Sequence, residues 1–167
     1  MRVMGRRARG PVQLVLAALA WLLFAAAVHA DDRAQLTPSA EEGFGRLIID
    51  FRDRVDLPPY KIAFDNGVLS IAFTSPVQLP LPDVSAVLPA YLSAGRMDPD
   101  NKGLRFGLRT AVTIHSMEAG EKLFIDLLPP NWQGLPPSLP PEVVAALTQR
   151  AKDAEILAQQ KAKEAAA

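Results

Sequence analysis

The sequence predicts a mainly β fold: a small antiparallel β-sandwich of two similar three-strand halves, followed by a C-terminal α-helix. Two observations lead to this prediction. Between residues 43 and 130, short segments alternate apolar and polar side chains with a period of two, and turn residues separate them. That alternation is typical of strands that bury one face and expose the other. Residues 142–167 contain no glycine or proline and are rich in alanine, which favours a helix that begins after Pro140 and Pro141.

Each predicted strand has one apolar face. Asn66 and Gly67 separate two of the strands and predict a tight type I′ hairpin turn, because both residues tolerate a positive φ. One short helix is predicted over residues 83–88, with Asp83 as its N-cap. The core-facing sets are Leu47, Ile49 and Phe51; Leu69, Ile71 and Phe73; Leu104, Phe106 and Leu108; Val112 and Ile114; and Leu123, Ile125 and Leu127.

A weak internal repeat divides the strands into two halves, offset by 58 residues from Gly45 to Gly103. Each half contains three strands, with a glycine turn before the last one. Two such units, each with one apolar face, would bury those faces on each other and form a sandwich. An ordinary similarity between two β-meanders is the alternative explanation of the repeat.

The N-terminal 30 residues have the pattern of a secretory signal peptide. Four arginines precede an apolar run over residues 11–28, and Val28 and Ala30 place small residues before a cleavage point at Asp31. We therefore expect export to a periplasm. The alternative is an uncleaved inner-membrane anchor, although residues 12–28 are shorter than the roughly 20 residues that a spanning helix needs. The expected organisation is a signal peptide at 1–30, a flexible lead-in at 31–42, the sandwich at 43–130, a proline-rich linker at 131–141 and a helix or weak coiled coil at 142–167.

Charge and composition exclude several classes of function. The chain has 18 basic and 18 acidic side chains, but residues 1–30 hold four of the basic ones and no acidic ones. The remainder is therefore acidic, 14 basic against 18 acidic, which argues against nucleic-acid binding. The absence of cysteine excludes disulfides and thiolate metal sites.

No arrangement of residues in the sequence predicts catalysis, a cofactor or a metal. His115 is the only histidine after residue 30, and a lone histidine does not make a zinc site. Ser116 lacks the G-x-S-x-G surroundings of a nucleophile elbow. We therefore expect a non-enzymatic protein without a cofactor.

The strand Leu123-Phe124-Ile125-Asp126-Leu127-Leu128-Pro129, as the last strand of a unit with a glycine turn before it, resembles the closing strand of the AMIN domain. That family is a periplasmic β-sandwich built from two similar halves. Residues 118–132, followed by a proline-rich stretch and a charged helix, are also similar to the N-terminal region of large exported tetratricopeptide-repeat proteins of alphaproteobacteria. The resemblance implies a cell-envelope binding or scaffold module that contacts peptidoglycan. A truncated N-terminus of a larger repeat protein is the alternative.

The candidate ligand-binding residues are cationic and aromatic. An arginine stripe on one solvated sheet face would grip the carboxylates of an anionic envelope polymer, because guanidinium groups bind carboxylates in pairs of hydrogen bonds. Two aromatic side chains could stack on sugar rings. A solvated face that Asp50, Asp53 and Asp126 balance is the alternative, and an envelope protein could instead bind a sheet edge or the C-terminal helix. The candidates are Arg46, Arg52, Arg105, Arg109, Tyr60 and Trp132.

Overall fold

The computed structural model describes residues 32–166. The predicted signal peptide, and with it the alternative anchor at residues 11–28, lies outside the described residues. The described part is mainly β with a long C-terminal helix, which confirms the predicted fold class. Its elements are β1 (Asp32–Arg33), β2 (Gln35–Glu41), β3 (Phe44–Asp50), β4 (Tyr60–Asp65), β5 (Val68–Phe73), β6 (Val77–Gln78), α1 (Val84–Val87), β7 (Leu92–Met97), β8 (Gly103–Leu108), β9 (Thr113–Ala119), β10 (Lys122–Leu128) and α2 (Pro141–Ala165).

Two four-stranded antiparallel sheets form the sandwich. The first sheet has the strand order β2-β3-β10-β9, and the second has the order β4-β5-β8-β7. Strands β1 and β6 form a separate short parallel pair. The inner faces of the two sheets share one hydrophobic core, as expected for face-to-face packing. Within residues 32–166, no helix is long and apolar enough to cross a membrane.

The two halves of the chain interleave between the sheets, and this corrects the expectation that each half forms one sheet. Strands β2–β5 make up the first half and β7–β10 the second, so each half has four strands rather than three. The first hairpin of each half joins one sheet and its second hairpin joins the other. If each strand of the first half is replaced by the corresponding strand of the second half, and the reverse, the order β2-β3-β10-β9 becomes β7-β8-β5-β4. That is the order of the second sheet read from its other edge.

The residue register follows the same symmetry. Leu47 lies opposite Ile125 in the first sheet, and Leu104 lies opposite Ile71 in the second. The offset between these buried positions is 57 residues from Leu47 to Leu104, so the predicted offset of 58 is wrong by one. Gly45 and Gly103 are not equivalent. Gly45 is on the core-facing side of β3, as Leu47 is, whereas Gly103 is on the outward-facing side of β8, opposite to the side of Leu104.

The core contains most of the predicted inward-facing side chains. The sets around Ile49, Ile71 and Ile125 are buried throughout, as are Leu104 and Phe106. Leu108, Val112 and Ile114 are only half-buried at the rim. Asp83 caps α1 as predicted, because its carboxylate accepts hydrogen bonds from the backbone N–H groups of residues 85 and 86. The Asn66-Gly67 turn has positive φ at both residues, 49° and 73°.

The outer face of the first sheet is covered, whereas a solvated face was expected. Phe124 and Leu128 point away from the sandwich core, yet both are buried. The proline-rich segment 131–141 runs over this face: Trp132 packs edge-on against Phe44, and the carbonyl of Ser138 accepts a hydrogen bond from Arg46. This segment is therefore a packed cover of the sheet rather than a spacer.

Four strands were not expected: the short strands β1 and β6 and the longer strands β2 and β7. The predicted flexible lead-in at 31–42 contains β1 and β2, and β2 pairs with β3 along its whole length. Pro38 disguises β2 in the sequence, but a proline is tolerated there because β2 is an edge strand. Strand β7 was also missed, since the segment LSAGRM lacks alternation and contains a bulge between Leu92 and Ala94.

Candidate functional site

A cleft of about 560 Å³ opens where the short β1–β6 pair meets the start of β2. The backbone N–H of Ala34 donates a hydrogen bond of 3.0 Å to the carbonyl of Gln78, which holds the two walls together. Buried Ala34 and Leu36 provide an apolar floor. The lining residues are Arg33, Ala34, Gln35, Leu36, Arg52, Gln78, Pro80, Leu81 and Pro82.

The rim of this cleft is cationic. Arg33 and Arg52 both line it, and no aspartate or glutamate is among the lining residues in the part of the chain that the structure describes. Within the described residues 32–166, neither guanidinium forms an ion pair; Arg52 donates a hydrogen bond to the amide oxygen of Gln35. An apolar floor with two unneutralised guanidinium groups suits a ligand that carries a carboxylate beside apolar atoms.

Arg46 is not available to a ligand. Its Nε and Nη2 atoms donate hydrogen bonds of 2.6 and 2.9 Å to the two carboxylate oxygens of Asp126. Arg46 is 4% exposed and Asp126 is fully buried. The guanidinium also lies over the rings of Phe44 and Phe124, at 5.2 and 5.6 Å from their centroids. The hydrogen bonds with Asp126 hold the pKa of Arg46 above its ordinary value.

The predicted arginine stripe is wrong as a geometric arrangement. Arg46 lies on the outer face of the first sheet, whereas Arg105 lies on the outer face of the second, on the opposite side of the sandwich. Arg105 pairs with Asp98 at 2.8 Å, and Arg109 donates from Nε to the carbonyl of Leu92 at 3.0 Å. The stripe required β3 and β8 to be neighbours, but β3 lies between β2 and β10.

The two aromatic candidates lie at separate places. The hydroxyl of Tyr60 donates a 2.5 Å hydrogen bond to Glu118, which links the edge strands β4 and β9. Partial burial, and then the hydrogen bond to Glu118, raises the pKa of Tyr60 to about 12. Trp132 packs on Phe44 and donates from its indole N–H to the carbonyl of Leu135. The structure therefore assigns a packing role to each ring, and brings neither to the cleft.

The start of α2 is fastened to the turn between β9 and β10. Arg150 donates two hydrogen bonds, of 2.5 and 2.9 Å, to the carboxylate oxygens of Glu121. This pairing lowers the pKa of Glu121 to about 2. Val143 and Leu147 are half-buried on the same helix face, while every described side chain after Arg150 is exposed. The helix is thus docked through its first part alone.

His115 borders the buried Arg46–Asp126 pair from β9. Its Nδ1 atom is 3.5 Å from a carboxylate oxygen of Asp126 and has no hydrogen-bond partner among residues 32–166. The register places Ser39, Arg46, Asp126 and His115 in one row across the first sheet. Over residues 32–166 no cluster of three or more metal-ligating side chains occurs.

Comparisons with known proteins give no family for the chain. No family model matches it, and no curated protein matches it. Among solved structures, Heat shock protein 16.0 from Schizosaccharomyces pombe is 8% identical, with a TM-score of 0.33, and the match covers 79% of this chain and 94% of that chain. A similarity at this level supports no statement about function.

Arg33 is the cleft residue that sequence reasoning missed. It belongs to the segment that was predicted to be a flexible lead-in, so it was not among the candidates. Arg52 was a candidate, but for a stripe that does not form. The alternation around Leu36, which is buried opposite Ile49, is the signal that could have identified β2 and its neighbour Arg33.

Proposed function

We propose that this protein is an exported, non-enzymatic module that binds a carboxylate-bearing polymer of the cell envelope, such as peptidoglycan, through the cleft between Arg33 and Arg52. The cationic rim of that cleft is the observation that carries the proposal, because two guanidinium groups share a concave site whose described lining includes no acidic residue. Peptidoglycan stem peptides combine carboxylates with small apolar side chains. The signal-peptide pattern of residues 1–30 and the resemblance to the AMIN domain support the same compartment.

The excess of acidic side chains on the rest of the protein confines the binding of an anionic polymer to the rim of the cleft. The described acidic residues outside the cleft repel an anionic polymer, so binding would depend on the few charges at the rim. Such binding should weaken as salt increases, because solvent-exposed charges are screened over about 10 Å at 0.1 M ionic strength.

Co-sedimentation of the purified protein with isolated peptidoglycan tests the proposal. We expect Arg33→Gln and Arg52→Gln each to weaken binding about tenfold, since a hydrogen bond to a charged group contributes roughly 1.5–3 kcal/mol. Arg105→Gln is the matched control, because it removes the same charge from a residue that does not line the cleft, and it should bind as the wild type does.

A soluble stem-peptide analogue separates carboxylate recognition from adhesion to the insoluble wall. The analogue with free carboxylates should compete for the protein, whereas its amidated form should not. Equal sedimentation of all three variants, or none by the wild type, would contradict the cleft as the binding site.

A second candidate function uses the C-terminal helix. Ile156 and Leu157 are 54% and 52% exposed on the part of α2 that extends beyond Arg150. Such a helix could pair with a helix of an envelope protein, in the manner of a weak coiled coil. Deletion of the residues after Arg150 should then abolish partner capture while leaving binding to peptidoglycan unchanged.

A further inference from the structure

Strand β4 is an edge strand that neither a proline nor a bulge interrupts. Edge strands in soluble proteins are usually blunted by prolines, bulges or charges. Pro38 interrupts the edge strand β2, and a bulge interrupts the edge strand β7. In contrast, β4 pairs regularly with β5 from Tyr60 to Asp65, and its centre is Ile62-Ala63-Phe64.

The free side of β4 presents backbone hydrogen-bonding groups. The two-residue turn makes Asp65 and Val68 a hydrogen-bonded pair, so the backbone groups of alternate residues point away from β5. The neighbouring bonds agree with this phase: Thr74 donates to the carbonyl of Pro59, and Phe73 donates away from β4 to Lys102. The outward N–H and C=O groups therefore belong to Ile62 and Phe64.

Phe64 gives this edge an apolar surface as well. Its side chain is 49% exposed, although it follows the inward phase of Ile62. A strand added at this edge would cover the ring and would pair the outward backbone groups. The same edge carries one charge of each sign, at Lys61 and Asp65, on the outer face of the second sheet.

We propose that β4 binds a second copy of this chain, antiparallel, with the two-fold axis passing through Ala63. This register places Ile62 in a hydrogen-bonded pair with Phe64 of the partner subunit. It also places Lys61 opposite Asp65 of the partner subunit, and the axis repeats both contacts. The two second sheets then form one continuous eight-stranded sheet.

Charge complementarity selects this register among those that the backbone allows. An axis through Ile62 would place Lys61 opposite Ala63 of the partner subunit. An axis through Phe64 would place Asp65 opposite Ala63 of the partner subunit. Only the axis through Ala63 pairs opposite charges, and it does so twice. Opposite-charge pairs stabilise neighbouring strands and like-charge pairs destabilise them. Alanine also suits the axis, where a pair that is not hydrogen-bonded brings Cα atoms to about 4.5 Å.

Cross-linking tests the register, because the chain contains no native cysteine. Two residues at about 4.5 Å between Cα atoms are within the range of about 4.4–6.8 Å that a disulfide needs. Ala63→Cys should therefore form a disulfide-linked dimer under mild oxidation. Ala72→Cys is the matched control: it is exposed on the same sheet face but lies on β5, at least about 14 Å from its copy, and should stay monomeric.

Charge reversal tests the same contact without cross-linking. Lys61→Glu places Glu opposite Asp65 of the partner subunit, and Asp65→Lys places Lys opposite Lys61 of the partner subunit. Each variant alone should raise the dissociation constant of the dimer about tenfold or more, as measured by sedimentation at high protein concentration. An equimolar mixture of the two variants should restore association, because both cross-strand pairs are then of opposite charge.

Recovery in the mixture requires that both variants fold, so a folding defect does not imitate the expected result. The proposal is overturned if Ala63→Cys cross-links no more than Ala72→Cys does, or if the mixture associates no better than its components. The cleft residues belong to other elements than β4, so the failure of peptidoglycan binding leaves this proposal standing, and the reverse also holds.

Discussion

Arg46 and Asp126 occupy positions that Gly103 and Ala72 occupy in the other half of the fold. The register makes this equivalence explicit, because Arg46 lies opposite Asp126 just as Gly103 lies opposite Ala72. The difference follows from what covers each sheet. Segment 131–141 buries the outer face of the first sheet, where the ion pair satisfies its own polar groups and the carbonyl of Ser138. The exposed Ala72 on the second sheet has no such cover.

Asp126→Asn should destabilise the protein strongly. The substitution leaves the buried guanidinium of Arg46 without a counter-charge, and breaking one side of a buried ion pair costs about 3–5 kcal/mol. Urea unfolding followed by circular dichroism measures the loss. Asp98→Asn is the control, because it breaks the exposed pair with Arg105 and should shift the unfolding midpoint far less. Equal shifts of the unfolding midpoint for the two variants would mean that the buried pair stabilises the protein no more than the exposed pair does.

Glu121 gives the stability a defined dependence on pH. Its pKa falls from an ordinary value of 4.5 to about 2 in the folded protein, so the folded state favours the ionised carboxylate. The stabilisation is complete above about pH 4.5 and disappears as the pH falls towards 2. The difference in unfolding free energy between the wild type and Glu121→Gln should therefore shrink over that interval. A difference that stays constant down to pH 2 would contradict the Arg150 pairing as its cause.

The role of single residues was the least predictable part of the sequence. The alternation of Asp126 with Ile125 and Leu127 indicates an outward position, so the sequence predicts it to be one of several acids on a solvated face. That direction is right, but its burial depends on segment 131–141, which folds back over the strand from beyond its end. No local pattern contains that information, and the same contact removes Arg46 from the set of accessible cations.

Among the elements, α2 has two parts with different neighbours. Residues 141–150 dock on the β9–β10 turn through half-buried Val143 and Leu147 and the bonds of Arg150 to Glu121. The remaining described residues of the helix are exposed on all sides. Val144 lies off this docked face, since it is 48% exposed.

Two truncations distinguish these parts. Deletion of everything after Arg150 should leave the urea midpoint of the sandwich nearly unchanged, because the deleted side chains bury little surface. Deletion of everything after Pro140 should lower the midpoint, since it also removes Arg150 and exposes the half-buried Val143 and Leu147. If both deletions have the same effect, the first part of α2 does not contribute to stability.

The elements that could be predicted are those with a strong pattern of alternation, turn residues or capping residues within their own short segment. Strands with clean alternation, the Asn66-Gly67 hairpin and α1 with its Asp83 cap were all identified, because their signals lie within a few residues. Strand β2 contains a proline and β7 a bulge, and both features weaken the period of two on which the prediction depends. Edge strands tolerate such interruptions, and the two strands missed in the four-stranded sheets, β2 and β7, are both edges.

At the scale of the whole molecule, composition and alternation were sufficient to predict a sandwich but not the pairing of its strands. Pairing between distant strands, such as β3 with β10, depends on which apolar faces meet in three dimensions. The cleft depends on it too, because Arg33 and Arg52 come together only after β2 pairs with β3. A cluster of distant cations could not be identified from the sequence without that topology.

The interleaving of the two halves makes the fold indivisible. A single cut in the loop between β6 and α1 would yield two fragments, each with one hairpin from each four-stranded sheet and with neither of those sheets complete. Neither fragment alone could bury the apolar faces of its strands, so each fragment should give the circular dichroism spectrum of an unfolded chain. An equimolar mixture should regain the native spectrum, which would make the protein a natural system for fragment complementation. Folding of the intact chain would then be one cooperative event, in which neither repeat acquires its structure before the other.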